Sequence, residues 1–212
     1  EASFSEIMNK EAKRLGMQNT RFINSTGLPD PNHYTTAHDL TLLATAIIRE
    51  FPEFYPLYSQ KEYTYNGITQ PNRNRLLWLD PHVDGMKTGW TKNAGYCLIT
   101  SATRDKRRLV SVVIGAKSDH ARSAESQRLL NFGFQSYETL HLYKKNDTLT
   151  KIPLWKGTKN ELKAGVNRDV YFTILKGQSD KLKASLEFKQ PLIAPIQLGQ
   201  EIGAVKFTLD DK

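Results

Sequence analysis

Apolar residues open the chain at helical spacing: Phe4, Ile7, Met8, Ala12 and Leu15 follow the 3.6-residue period of one helix face. Gly16 stops that run as a C-terminal cap does. The stretch NTRFINSTGLPDPNHYTTAHD is dense in Asn, Thr, Pro and Gly and reads as an ordered loop. A second helix opens near Thr36 and Asp39. Its predicted buried stripe is Leu40, Leu43, Ala44, Ile47, Ile48 and Phe51, and Pro52 ends it. In KEYTYNG, Tyr63 and Tyr65 alternate with polar residues, the pattern of an exposed strand.

From Val83 the period changes. GYCLITSAT and RRLVSVVIGA are β-rich runs separated by Arg104–Asp105–Lys106, which predicts a hairpin. The second run is apolar on both faces and is expected deep in a sheet. SAESQRLLNFGFQSYETL predicts a third helix with Leu130, Phe134 and Tyr137 on one side. After His141 only short β-like stretches remain (LTKIPLW, VYFTILK, LKASLEF, IGAVKFTL), separated by turns. The expected organisation is therefore an α/β region over residues 1–141, with an antiparallel sheet covered by helices. A small all-β sandwich or barrel over residues 142–212 follows.

Composition narrows the function classes. With 212 residues, 39% hydrophobic and 25% charged, the chain has the make-up of a folded soluble protein. Its longest apolar runs, such as LVSVVIG, are too short to cross a bilayer. No signal peptide is apparent at Glu1 to Lys10. The net charge of +8 is uneven. Residues 1–140 hold 17 basic and 14 acidic side chains, and residues 141–212 hold 13 and 8. The basic residues of the second part are almost all lysines, spread along strand-like segments, which favours a solvated sheet face over a nucleic-acid surface. Cys97 is the only cysteine; it lies in an apolar run and reads as a small buried hydrophobe. The five histidines lack zinc-site spacing, so neither a metal nor another cofactor is expected.

The chemistry is concentrated in VDGMKTGW (Val83 to Trp90). On a strand beside a cleft, Lys87 adds positive charge and the Thr88 hydroxyl can donate to a carboxylate. Gly89 lets an extended peptide lie along the backbone. Alone, a Lys-Thr-Gly triplet is weak, since a turn with a solvated lysine reads the same way. Gly85 before it and two buried strands after it strengthen the signal. Thr88 and Arg122 are expected on the same side of the sheet as Lys87.

With LGMQNTRFINSTGLP, TTAHDL, YTYNGITQPNRNRLLW, VDGMKTG and SAESQRLLNFGF, nearly the whole chain resembles the D-alanyl-D-alanine carboxypeptidases. These are the low-molecular-mass penicillin-binding proteins of the number 5 and 6 type, in which K-T-G accompanies S-x-x-K and a Ser-x-Asn triplet. The resemblance implies a partial serine transpeptidase-like domain followed by the family's β-rich domain. It implies that Lys87 shapes the electrostatics and proton transfer, that Thr88 binds the substrate carboxylate and that Gly89 admits the peptide. The backbone N–H of Trp90 becomes one oxyanion donor, Arg122 lies near the carboxylate pocket, and Arg73 lines the cleft. Trp90 departs from the family, which has histidine there. From the residues alone, Arg122 reads equally as a partner of Glu125, and Arg73 as a structural ion pair. His120 reads as a helix-start histidine.

No serine in the chain has a lysine three residues on, and no Ser-x-Asn triplet occurs. The nucleophile and its base are therefore expected in a preceding segment, with this chain the C-terminal part of the enzyme. The implied partners are a peptidoglycan stem peptide ending in D-Ala-D-Ala, β-lactam antibiotics, the missing N-terminal part, and the inner membrane through an anchor absent here. Nucleic acid is not among them. The implied location is the bacterial cell envelope, on the periplasmic face of the cytoplasmic membrane. The competing expectation is a non-catalytic scaffold that keeps only the carboxylate pocket; a β-lactamase shares K-T-G but lacks the appended β-rich part.

Overall fold

In the computed structural model, which describes residues 2–210, the first helix α1 spans Ala2–Arg14. Its docked face is polar. Phe4 and Ile7 are exposed, while Ser5 and Ala12 are buried. The Ser5 hydroxyl donates to the Ile23 carbonyl at 2.9 Å. The Asn9 amide donates to the Phe22 carbonyl at 2.7 Å and accepts the Phe22 N–H at 2.8 Å. These bonds tie the loop after α1 to the helix as a strand partner would.

Helix α2 (Ala37–Glu50) starts where Thr36 and Asp39 mark it, with the Thr36 hydroxyl accepting the Asp39 N–H at 3.1 Å. Buried Asp39 accepts in turn from the Thr20 hydroxyl at 2.7 Å and the Asn19 N–H at 2.8 Å. The Thr20 bond, against burial and with help from Asn19, holds this carboxyl below the ordinary carboxylate range. Of the predicted stripe Ala44 is buried and Leu40, Leu43, Ile47 and Ile48 are half-buried, while Ala46 is buried outside it and Phe51 caps the helix and is exposed.

A 3₁₀ turn at Tyr55–Ser59 leads to the exposed hairpin β1 (Glu62–Tyr65) and β2 (Ile68–Pro71). Helix α3 (Leu76–Leu79) then feeds an antiparallel sheet of β3 (Val83–Thr91), β4 (Gly95–Arg104) and β5 (Arg107–Ala116), in that order. The β4–β5 connection is a two-residue turn in which Asp105 and Lys106 both have positive φ, the geometry that matches strand twist.

The sheet is covered on both faces. On one side Leu98, Ala102 and Leu109 pack with Leu130 and Phe134 of helix α4 (Asp119–Ser136). On the other, Ile99 and Val110 pack with Ala44, Ile47 and Ile48 of α2 and with Tyr55. The expectation that the Arg107–Ala116 run lies deep in a sheet needs correction: β4 is the central strand of the three, and β5 lies beside it with most of its residues half-buried or exposed. Cys97 is likewise only partly buried. α4 ends at Ser136, so Tyr137 belongs not to that helix but to the next strand.

The chain divides into two units between Gln135 and Ser136. The second holds β6 (Tyr137–Tyr143), β7 (Thr148–Trp155), β8 (Glu161–Gly165), β9 (Val170–Leu175), β10 (Leu182–Phe188), β11 (Leu192–Ile193) and β12 (Gly203–Leu209). They pair as β6-β9, β11-β7-β8 and β10-β12. Phe172 of β9 meets Phe207 of β12 with ring centroids 5.4 Å apart. Ile152, Ile174 and Leu192 are its buried apolar residues. Among the described residues, no helix is long and apolar enough to cross a membrane.

Two predictions follow from this packing. Leu130, 1% exposed, joins α4 to the sheet, and Leu130→Ala should cost about 2–5 kcal/mol. Chemical denaturation giving a loss within experimental error of zero would show that α4 is not part of the core. Asp80 tests the electrostatics. Burial pushes its carboxyl up, but the His82 N–H at 2.9 Å and the Arg104 guanidinium at 2.5 Å outweigh it and hold the group below its ordinary range. The stabilisation is present above the unfolded-state pKa and is lost as pH falls through the lowered folded value. Asp80→Asn should therefore lag wild type at neutral pH and approach it in acid. An equal gap at pH 7 and at pH 3 would contradict the assignment.

Candidate active site

β3 lies at one edge of its sheet, and both its approach and its faces are fixed by polar contacts. Buried Asn74 accepts the Leu76 N–H at 3.2 Å and donates to the Gly85 carbonyl at 2.9 Å. Asn72 accepts the Asn74 N–H at 2.9 Å and donates to the Gln60 carbonyl at 3.0 Å. The two asparagines around Arg73 thus anchor the segment, and Arg73 between them is exposed. A Cβ on Gly85 would stand 2.4 Å from the Tyr55 hydroxyl, so only glycine fits beside that ring. Asp84 holds the start of the strand through a two-point ion pair with Arg108, at 2.8 and 2.7 Å. Arg108 also reaches the Ser101 hydroxyl at 2.5 Å and stacks over Tyr55 at 5.2 Å. Burial pushes the Tyr55 phenol up to about 12, so it is a neutral donor throughout the physiological range.

Cross-strand pairing sets the faces, because residues directly opposite point the same way. Thr88 pairs with Leu98 and Trp90 with Tyr96. Leu98 packs against α4, and the Tyr96 ring lies 5.6 Å under the Arg122 guanidinium. Thr88, Trp90 and Arg122 therefore share the α4 face. Lys87 pairs with Ile99, whose side chain packs toward α2. The Lys87 ammonium donates to the Thr88 carbonyl.

The charges converge. Although the Lys87 tip is solvent-exposed, partial burial lowers its pKa, and the positive charges of Arg73 and Arg122 lower it further. Arg73 and Arg122 are thus near enough to act on the Lys87 charge, which gives this strand edge a positive field. Arg122 is 5% exposed and does not pair with Glu125, which binds Arg128 at 2.7 Å. Its partner is Asp119. Arg73 shows no ion pair among the described residues; its neighbour Arg75 reaches Asp119 at 3.6 Å. His120 is exposed in the first turn of α4. Among the described residues no group of three or more His, Cys, Asp and Glu side chains comes together as a metal site would need.

Asn74 and Asp84 were not legible in the sequence, since their partners lie 11 and 24 residues away; only the pairing of Asp119 with Arg122, three residues apart on a helix, had a local signature.

Residues 1–118 match the D-alanyl-D-alanine carboxypeptidase family, and residues 137–212 match the C-terminal domain of penicillin-binding protein 5. The D-alanyl-D-alanine carboxypeptidase DacC of Escherichia coli K12 is 45% identical over 212 residues, covering 99% of this chain and 53% of that protein. The crystal structure of penicillin-binding protein 5 from Haemophilus influenzae has 42% identity and a TM-score of 0.93, over 100% of this chain and 62% of that one. The ampicillin-bound penicillin-binding protein D2 of Listeria monocytogenes has 35% identity and a TM-score of 0.59, over 63% of this chain and 56% of that one. The chain spans about half the length of the curated relatives it matches. On this likeness, which runs through both units and includes the strand that carries Lys87, Thr88 and Gly89, the chain belongs to the D-alanyl-D-alanine carboxypeptidase family.

Proposed function

We propose that the protein is a serine-type D-Ala-D-Ala carboxypeptidase of the bacterial cell envelope, acting on peptidoglycan stem peptides through an acyl-serine intermediate. The observation that carries the reading is the convergence of Lys87, Arg73 and Arg122 on the edge strand that presents Thr88. The substrate's last residues lie along β3 as an added strand, with its carboxylate at the Thr88 hydroxyl and in the field of the three cations. Gly89 leaves room for the approaching backbone, and the N–H of Trp90 donates to the oxyanion that forms when the carbonyl is attacked. β-Lactams occupy the same place, in line with the ampicillin-bound form of the Listeria monocytogenes relative. The nucleophile belongs to a part of the enzyme outside this sequence, since no serine here has a lysine at the required spacing.

A fluorescent penicillin tests this directly. The complete protein should give a stable band on a denaturing gel, and residues 1–212 alone should give none, because a serine hydroxyl without an adjacent base acylates slowly. Stoichiometric labelling of the 212-residue chain would overturn the placement of the nucleophile. No labelling of the complete protein would favour a non-catalytic scaffold.

Thr88→Val in the complete enzyme should lower kcat/KM on a D-Ala-D-Ala peptide roughly ten- to a hundredfold, the effect of losing about 1.5–3 kcal/mol in a hydrogen bond to a charged group. An unchanged kcat/KM would remove Thr88 from the site.

The lowered Lys87 pKa gives a pH test. Lys87 is charged, and binding is strong, below its folded pKa; activity falls as pH rises through that value. Arg73→Gln removes one of the charges that depress it, so the alkaline limb of kcat/KM should move to higher pH. A limb that stays put or moves down would show that Lys87 does not set it.

A further inference from the structure

Two arginines act on Lys87, and they are held in different ways. Arg122 is buried and paired with Asp119. Arg73 is exposed and has no ion pair among the described residues. What places its charge must therefore act on its backbone.

Asparagine side chains hold that backbone on both flanks. The Asn72 Oδ1 accepts the Asn74 N–H at 2.9 Å, and the Asn74 Oδ1 accepts the Leu76 N–H at 3.2 Å. These are two successive turns in which a side chain bonds the backbone two residues on, a use for which asparagine is suited. Each amide nitrogen is left to reach outward. That of Asn72 donates to the Gln60 carbonyl at 3.0 Å, just before the β1–β2 hairpin. That of Asn74 donates to the Gly85 carbonyl of β3 at 2.9 Å. Among the described residues, the Asn74–Gly85 bond is the hydrogen bond that joins residues 72–75 to the strand. The apolar packing of this region starts only at Leu76 and Leu77, which share a core with Val83 and Leu98. Asn74 is fully buried, where an amide costs stability unless its polar atoms are bonded. Two strand residues, about 7 Å, separate Gly85 from Lys87, a gap that the side chain of the residue before Asn74 spans.

We propose that Asn74 is a positioning residue: its bridge to Gly85 sets how far Arg73 stands from Lys87, and Asn72 secures the other flank. The catalytic consequence rests on the function proposed above; the bridge itself does not. The charged groups around Lys87 are Arg73 from this segment and Arg122 with Asp119 from α4. The Asp84–Arg108 pair lies at the start of the strand beside the Tyr55 phenol. A merely structural asparagine changes stability alone. A positioning one changes Lys87 through Arg73, so its effect vanishes once residue 73 carries no charge.

The test measures the titration of Lys87 in the complete protein, by NMR of lysine labelled with ¹³C at Cε and with the signal assigned from Lys87→Arg. Asn74→Ser is the main variant. A serine hydroxyl still accepts the Leu76 N–H but is too short to reach the Gly85 carbonyl. Released from β3, Arg73 spends less time near Lys87, and withdrawing a like charge raises an ammonium pKa. Lys87 should therefore titrate at higher pH in Asn74→Ser, by no more than in Arg73→Gln. Asn74→Ser added to Arg73→Gln should shift nothing further. Asn72→Ser, which keeps the turn and releases the hairpin flank, should move Lys87 in the same direction, again only while Arg73 is present. It decides the matter if Asn74→Ser does not fold. An unchanged Lys87 in the single variants, or an equal shift with and without Arg73, would overturn the proposal.

Activity gives the second readout. On a D-Ala-D-Ala peptide, the alkaline limb of kcat/KM should follow the Lys87 titration through the same set of variants. If the titration follows the pattern and the limb of an active enzyme does not, the positioning role in catalysis is wrong. If the titration follows the pattern while the complete wild-type protein shows no turnover at all, the bridge stands and the carboxypeptidase reading fails.

Discussion

Strand β4 is apolar on both faces, and much of the first unit follows from having to keep water off both. Leu98 and Ala102 need one cover and Ile99 needs another. α4 supplies the first and α2 the second, which makes the unit a sheet held between helices. Burial at about 25 cal/mol per Å² is the dominant favourable term in such an arrangement. It also dictates the position of β3, which pairs with β4 along one edge and leaves its other edge free. That free edge is where an extended peptide can pair.

The polar contacts then work within this frame. α4 buries Ser123 and Ser126 over Thr100 and Ser111, and these small side chains let the helix come close to the sheet in its first half. Arg122 lies in that same polar half, with Asp119 one turn before it, rather than among the leucine and phenylalanine of the second half. On the other face, Tyr55, Asp84, Arg108 and Ser101 form a connected group around the start of β3. A buried charge is tolerated when its partners satisfy it, and here the paired arginines tie β3 and β5 on one side and β3 and α4 on the other.

Electrostatics at the edge has its own cost. Lys87, Arg73 and Arg122 repel one another, and the lowered Lys87 pKa records that repulsion together with partial burial. The edge is thereby left with an excess of positive charge that an anion would relieve.

Much of the fold was legible locally. The α2 cap at Thr36, the Asp105–Lys106 turn, the two β runs after Lys87 and the loss of helical period after His141 all depend on neighbours a few residues apart, and sequence reports those contacts directly. The strand that carries Lys-Thr-Gly was legible for the same reason, together with its glycine two positions earlier. What the sequence by itself could not determine was which element covers which face. Phe4 and Ile7 carry a helical period yet face outward, because the polar Ser5 and Asn9 found partners in Phe22 and Ile23. β4 rather than β5 became central, because periodicity reports that a face is buried and not what buries it. Arg122 chose Asp119 over Glu125, Arg73 came to lie near Lys87, and Gly89 acquired a buried guanidinium 33 residues away in sequence. Side-chain hydrogen bonds of that span leave no periodic trace, since one donor and one acceptor need only meet once in space. The chemistry of the strand was thus set by its residues, and the direction of its groups was decided by the tertiary fold.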